Sequence, residues 1–142
     1  MTIAAILKTK GAQVVTLPPS ATLAGAVALL AEKRIGAVPV VEDEEVVGVF
    51  SERDVVYCLA TKGAAALDLT VGEVMTAPAR TVSPGEPVLG ALSLMTRRRI
   101  RHLPVIEGGR LVGFVSIGDL VKLRVDRIEA EAMAMRDYIQ GS

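Results

Sequence analysis

Two pairs of residues are spaced for chemistry. Ser51 and Asp54 stand three apart in "VGVFSERDVV", and Ser116 and Asp119 stand three apart in "VGFVSIGDLV". A carboxylate only accepts hydrogen bonds and has several lone pairs, so its natural complement is a pair of adjacent hydroxyls such as those of a ribose. A serine hydroxyl beside the free N–H groups of a helix start can hold a phosphate. Together the two residue types can read a ribonucleotide, with diol on Asp and phosphate near Ser. The same spacing is also a capping box, in which Ser and Asp satisfy the first backbone groups of a helix. The two uses are compatible. Gly48 and Gly113, three residues before each serine, let a ligand or another backbone come close to a strand.

The elements that must position these residues are themselves repeated. A shift of 65 aligns Thr16–Val56 with Thr81–Val121 without a gap, and fifteen of the 41 positions are identical. The match continues upstream after a three-residue slip, "TIAAIL" against "TVGEVM". Each half opens with a short helical turn, capped in the second half by Thr70 and Glu73. An extended piece comes after it, then an amphipathic helix with apolar residues at Leu23, Ala26, Val27 and Leu30, or at Val88, Ala91, Leu92 and Met95. Two runs of β-formers come next, joined by "EDEE" or "EGGR", of hairpin length. A closing helix begins at the serine. The pattern predicts an α+β fold of two β-α-β-β-α repeats related by a pseudo-twofold axis, with a long C-terminal helix after them. The expected boundaries are 1–62 for the first repeat, 63–69 for a linker, 70–125 for the second repeat and 126–142 for the helical extension. A cleft between repeats this small is the usual place for a ligand.

Composition narrows the classes. The 142 residues are 51% hydrophobic with no Trp, so the core is aliphatic. Sixteen basic and sixteen acidic residues give a net charge of zero, which argues against nucleic acid as a partner. A single cysteine, Cys58, excludes an internal disulfide and fits a reducing compartment. The start lacks the features of a signal peptide, and no apolar run is long enough to span a membrane. The expectation is a cytoplasmic protein.

The repeated segments "RIGAVPVVEDEEVVGVFSERD" and "RIRHLPVIEGGRLVGFVSIGD" resemble the CBS domain, named after cystathionine β-synthase, and two in tandem resemble a Bateman module. The resemblance covers residues 2–125. It implies regulatory binding of adenosine-containing ligands, AMP first, with ATP, ADP, NAD(H) or S-adenosylmethionine as the others. It also implies pairing into disc-shaped dimers. Carried over residue by residue, it gives two sites. In the first, Asp54 holds ribose and Ser51 sits by phosphate or ribose. Thr16, with Val14 and Val15, and the segment Ala37, Val38 and Pro39 flank the adenine through backbone groups and apolar contact, and Arg53 serves phosphate. In the second, the equivalents are Asp119, Ser116, Thr81 with Ala79 and Arg80, and His102, Leu103 and Pro104. Arg101 and His102 can supply donors to a phosphate, which favours the second site for a phosphorylated nucleotide.

The remaining residues suggest no catalysis. One histidine and one cysteine cannot make a zinc site, and Cys58 reads as a small buried hydrophobe. Arg97 to Arg99 end a helix, where cations suit the dipole, with phosphate contact as the functional alternative. Glu42 to Glu45 read as a solvated turn. In the tail, Val121, Val125, Ile128, Ala132, Met135 and Ile139 step by four and three, a heptad-like seam that predicts a homodimer contact. The expected function is an adenine-nucleotide sensor that acts through shape or dimer geometry on an unidentified regulated protein. The alternative is an interaction module that binds no ligand.

Overall fold

The computed structural model describes residues 1–11 and 13–141. Helix α1 spans Ile3–Lys10 and α2 spans Leu23–Lys33. Strands β1 (Ala37–Glu42) and β2 (Glu45–Ser51) form the first antiparallel hairpin. Helix α3 (Glu52–Lys62) and a 3₁₀ turn (Gly63–Asp68) lead to the short α4 (Val71–Val74). The second half repeats the order with α5 (Val88–Arg98), β3 (His102–Glu107), β4 (Arg110–Ser116) and the long α6 (Ile117–Gly141).

The opening strand of each repeat is reduced to a single parallel bridge, Leu17 to Val40 and Val82 to Val105. Leu17 N–H donates to the Pro39 carbonyl and its own carbonyl accepts from Val41 N–H, with the same pattern at Val82. The ladder cannot continue. Pro18 and Pro19 carry no N–H, and Ser83 N–H turns back to Glu86 Oε2 at 2.7 Å.

The hairpin turns are tighter than the four-residue connectors of the sequence. Each has two residues with positive φ: Asp43 and Glu44 at 51° and 66°, Gly108 and Gly109 at 59° and 79°. Glycine takes this conformation without strain, whereas Asp43 and Glu44 are held there.

Each half has its own core, and each core borrows the opening helix of the other repeat. Val71 of α4 is buried among Leu23, Ala26, Val38, Val40 and Phe50 of the first half. Ile3 and Ile6 of α1 are buried among Val88, Met95, Leu103, Val105 and Leu120 of the second. Backbone bonds fix the exchange: Val71 N–H to Ala21 O at 2.8 Å, and Ile3 N–H to Glu86 O at 3.0 Å. The turn at Gly63–Asp68 is also packed, with Ala66 fully buried in the first core.

These exchanged helices explain Gly48 and Gly113. A Cβ on Gly48 would lie 2.6 Å from Met75 Sδ and 2.8 Å from the Thr76 carbonyl oxygen, and one on Gly113 would collide with the Leu7 side chain. The close approach expected at both glycines is made by this chain itself.

Helix α6 leaves the body. Leu120 and Leu123 pack on the second core, but residues 125–141 are exposed throughout. Val121, Val125, Ile128 and Met135 of the heptad seam are all exposed. Among the described residues no helix is long and apolar enough to cross a membrane.

Candidate functional site

The first Ser-x-x-Asp is delivered by the β2–α3 junction. Ser51 ends β2 in extended geometry and caps α3, whose first turn carries Glu52 and Asp54. Asp54 Oδ2 accepts from Ser51 N–H at 2.9 Å and from the Ser51 hydroxyl at 3.3 Å. Its other oxygen, Oδ1, accepts from the Thr76 hydroxyl at 3.0 Å. Thr76 arrives by way of α4: its N–H and carbonyl pair with Val49 of β2 at 2.9 and 3.0 Å. The cap expected from the sequence is present, and a carboxylate so held keeps lone pairs for a further donor.

Asp54 opens onto a cavity of about 540 Å³ walled by both halves of the chain. The first half supplies Gly36, Ser51, Arg53, Asp54 and Tyr57. From the second come Thr76, Pro78, Ala79, Arg80 and the run Arg99 to His102. Four arginines, Arg53, Arg80, Arg99 and Arg101, thus stand against two acids, Glu52 and Asp54. Arg53 Nη1 donates to the Arg99 carbonyl at 3.0 Å, tying α3 to the end of α5. Among the described residues, none of the four guanidinium groups is in an ion pair. The cavity is therefore electropositive, with an apolar wall, a carboxylate and a helix start. That suits an anionic ligand bearing hydroxyls.

The grouping differs from the one expected within each half. Ser51, Arg53 and Asp54 do share the cavity, but Arg101 and His102 join them there. Thr16 and Thr81 are exposed and line no part of it. Val38 and Leu103 are fully buried core residues, Ala37 is 3% exposed, and Pro39 and Pro104 are buried too. These side chains are used up in the sheets, and the residues just before them, Gly36 and Arg101, face the cavity instead. The linear reading missed Thr76, Tyr57 and the partnership of Arg80 and Arg99 with Asp54. The three-residue slip between the repeats was the available signal. It shows that the opening helix and the segment after it are positioned independently of the strands.

The second Ser-x-x-Asp has a different setting. Its capping box is reciprocal, as at Ser51 and Asp54: Asp119 N–H donates to Ser116 Oγ at 3.1 Å, and Ser116 N–H to Asp119 Oδ2 at 2.8 Å. The Lys10 ammonium donates to the same Oδ2 at 2.7 Å and to the Phe114 carbonyl at 2.7 Å. Burial works against the charge on Asp119. The bond from Lys10, then the bond from the Ser116 backbone and the Lys10 charge, outweigh it and hold the carboxyl below its ordinary value.

His102 sits between the two settings. Its ring stacks on Phe114, with centroids 5.5 Å apart and planes 12° from parallel. Burial above all, with help from Lys10 and Arg101, pushes its pKa down, against the opposing pull of Asp119 and Glu52. Cys58 packs against the first core. Among the described residues no cluster of His, Cys, Asp or Glu could hold a metal ion.

The CBS domain profile matches twice, at residues 6–61 and 71–126. The CBS domain-containing protein CBSX3, mitochondrial, of Arabidopsis thaliana is 37% identical over 125 residues, which cover 84% of this chain; the chain spans 61% of that protein's length. A CBS-domain containing protein of Agrobacterium tumefaciens superposes with a TM-score of 0.85 at 39% identity, covering 87% of this chain and 99% of the other. A CBS domain protein of Pyrobaculum aerophilum, solved in complex with AMP, superposes with a TM-score of 0.74 at 31% identity, covering 84% and 89%.

Proposed function

The chain belongs to the CBS domain family, and we propose that it is a regulatory module that binds an adenine nucleotide in the cavity around Asp54. The observation that carries this reading is the meeting, in one cavity, of a capped carboxylate and four arginines that form no ion pair among the described residues. Asp54 accepts from the 2′ and 3′ hydroxyls of the ribose. Arg53, Arg80, Arg99 and Arg101, with the α3 start, receive the phosphate. Tyr57, Pro78 and Ala79 offer apolar contact to the base. AMP is the first ligand to test, since the Pyrobaculum protein is solved with it. ADP, ATP, NAD(H) and S-adenosylmethionine come after it.

Binding acts by preferring one geometry of the two halves, because a ligand shifts only an equilibrium it distinguishes. The cavity is walled by both halves, so occupancy and their relative placement are coupled. The exposed seam Val121, Val125, Ile128 and Met135 supports a homodimer through α6 as the body that transmits the change. That same seam favours the second reading, a module that docks a protein and needs no ligand.

Calorimetric titration of the full chain with AMP, ATP, NADH and S-adenosylmethionine separates the two. The expected result is saturable binding of one of them, weakened about 10- to 100-fold in Asp54→Ala, since hydrogen bonds to a charged group contribute about 1.5–3 kcal/mol. Folded, nucleotide-free protein giving no heat with any of the four would leave Ser51-x-x-Asp54 a helix cap and favour the docking module.

A further inference from the structure

The pseudo-symmetry makes Lys10 stand out. Strands and closing helices correspond at a spacing of 65, so Val49 corresponds to Phe114 and Asp54 to Asp119. In the first half, Thr76 serves both: its N–H bonds to the Val49 carbonyl and its hydroxyl bonds to Asp54. In the second half, one ammonium takes both places. Lys10 Nζ donates to the Phe114 carbonyl and to Asp119 Oδ2, each at 2.7 Å.

The sequence shows why. The opening helices correspond at a spacing of 68, so Thr76 corresponds to Lys8. Met75 is already extended at the end of α4, and in the "TAPAR" that comes after it Pro78 disfavours helix at Ala77, so the helix does not resume. After the same point α1 continues through "KTK" and stops only at Gly11, whose φ is 93°. The extra turn lifts the backbone off β4 and brings a lysine side chain down in its place.

We propose that Lys10 is the specificity-determining residue of the second Ser-x-x-Asp, closing Asp119 to a ribose diol so that each chain takes one nucleotide. The proposal rests on the nucleotide reading of the Asp54 cavity. Lys10 occupies Asp119 Oδ2 and compensates the carboxylate charge, so a neutral hydroxyl reaching either oxygen meets a poorer acceptor and a competing, charge-assisted donor. At Asp54 it meets a neutral threonine hydroxyl that leaves charge uncompensated. The repeats have therefore diverged in use, although both keep the serine and the aspartate.

The test is the stoichiometry of AMP and ATP binding to the full chain, by calorimetry on nucleotide-free protein. Four proteins are compared: wild type, Lys10→Met, Asp54→Ala and the double variant, with Lys10→Gln as a second neutral replacement if Lys10→Met melts early. The expected numbers of sites per chain with wild-type affinity are one, two, none and one, the Asp54 site in the two Asp54→Ala proteins being weakened about 10- to 100-fold and not counted. Two per wild-type chain, or one in both Lys10→Met and Lys10→Gln, would overturn the inference and leave the Asp54 reading standing. None in wild type with one in Lys10→Met would keep the inference and overturn the Asp54 reading. No binding in any variant would overturn both.

Discussion

The Thr76 hydroxyl donates to Asp54 Oδ1 across 3.0 Å, and so ties the segment entering the second repeat to the helix closing the first. Asp54 is thereby aimed by both halves of the chain. Its orientation depends on α4 staying docked, and not on the Ser51 cap alone.

Thr76→Val keeps the shape and removes the donor. Nucleotide affinity is expected to fall about 3- to 10-fold, and stability by about 1 kcal/mol, the usual weight of one such bond. Thr76→Ser should retain most of both. Calorimetry beside urea unfolding reads the two effects. Unchanged affinity in Thr76→Val would mean that the Ser51 cap alone orients the carboxylate.

Glycines in different settings should respond oppositely to a methyl group. Gly48→Ala drives Cβ into the Thr76 carbonyl oxygen and Met75, and backbone cannot swing aside as a side chain can. A loss of about 1–3 kcal/mol is expected, the range for an overpacked core. Gly90 lies in α5 with nothing within 4 Å of a new Cβ. Gly90→Ala should add about 0.5–1 kcal/mol through helix propensity. Urea midpoints of the two variants, on either side of wild type, check the exchange of α4 that this contrast depends on.

The two hairpins make a similar pair. Glu44 is held at φ 66°, where its counterpart is Gly109 at 79°. Left-handed geometry costs an ordinary residue about 1–2 kcal/mol. Glu44→Gly is therefore expected to raise the melting temperature by a few degrees, and Gly109→Ala to lower it. The opposite order would mean that the Glu44 side chain offsets its own strain.

Much of this is legible in the order of residues alone. The gapless 65-residue repeat locates both hairpins, both Ser-x-x-Asp caps and the aliphatic helices. Alternation alone could not show that Val38 and Leu103 are fully buried, because they lie in unbroken buried runs, residues 37–40 and 103–105, and not in an in-out pattern. Nor could it pair Asp54 with Thr76, Arg80 and His102. That pairing depends on α4 folding back on the first core, a long-range choice set by where Val71 finds an apolar slot. Lys10 was hidden for a related reason. Its role comes from α1 running one turn past the point where α4 stops, and only the slip between the repeats recorded it.

His102 supplies the pH dependence. Its folded pKa lies below the ordinary 6.5, with burial the largest cause, Lys10 and Arg101 against the proton, and Asp119 and Glu52 for it. The unfolded chain titrates near the ordinary value, so on acidification it takes up a proton that the folded chain refuses. The contribution of neutral His102 is full above 6.5 and drains away as pH falls from 6.5 toward the lower folded value. Urea midpoints at about pH 7.5, 6.5 and 5.5 cover this window while the carboxylates stay largely ionised. Wild type should lose stability across it, and His102→Gln, which keeps a polar group without the charge change, should lose less. An equal decline in both proteins would assign the acid sensitivity to another group. A flat wild-type profile would mean that Asp119 and Glu52 offset burial and the two cations at His102.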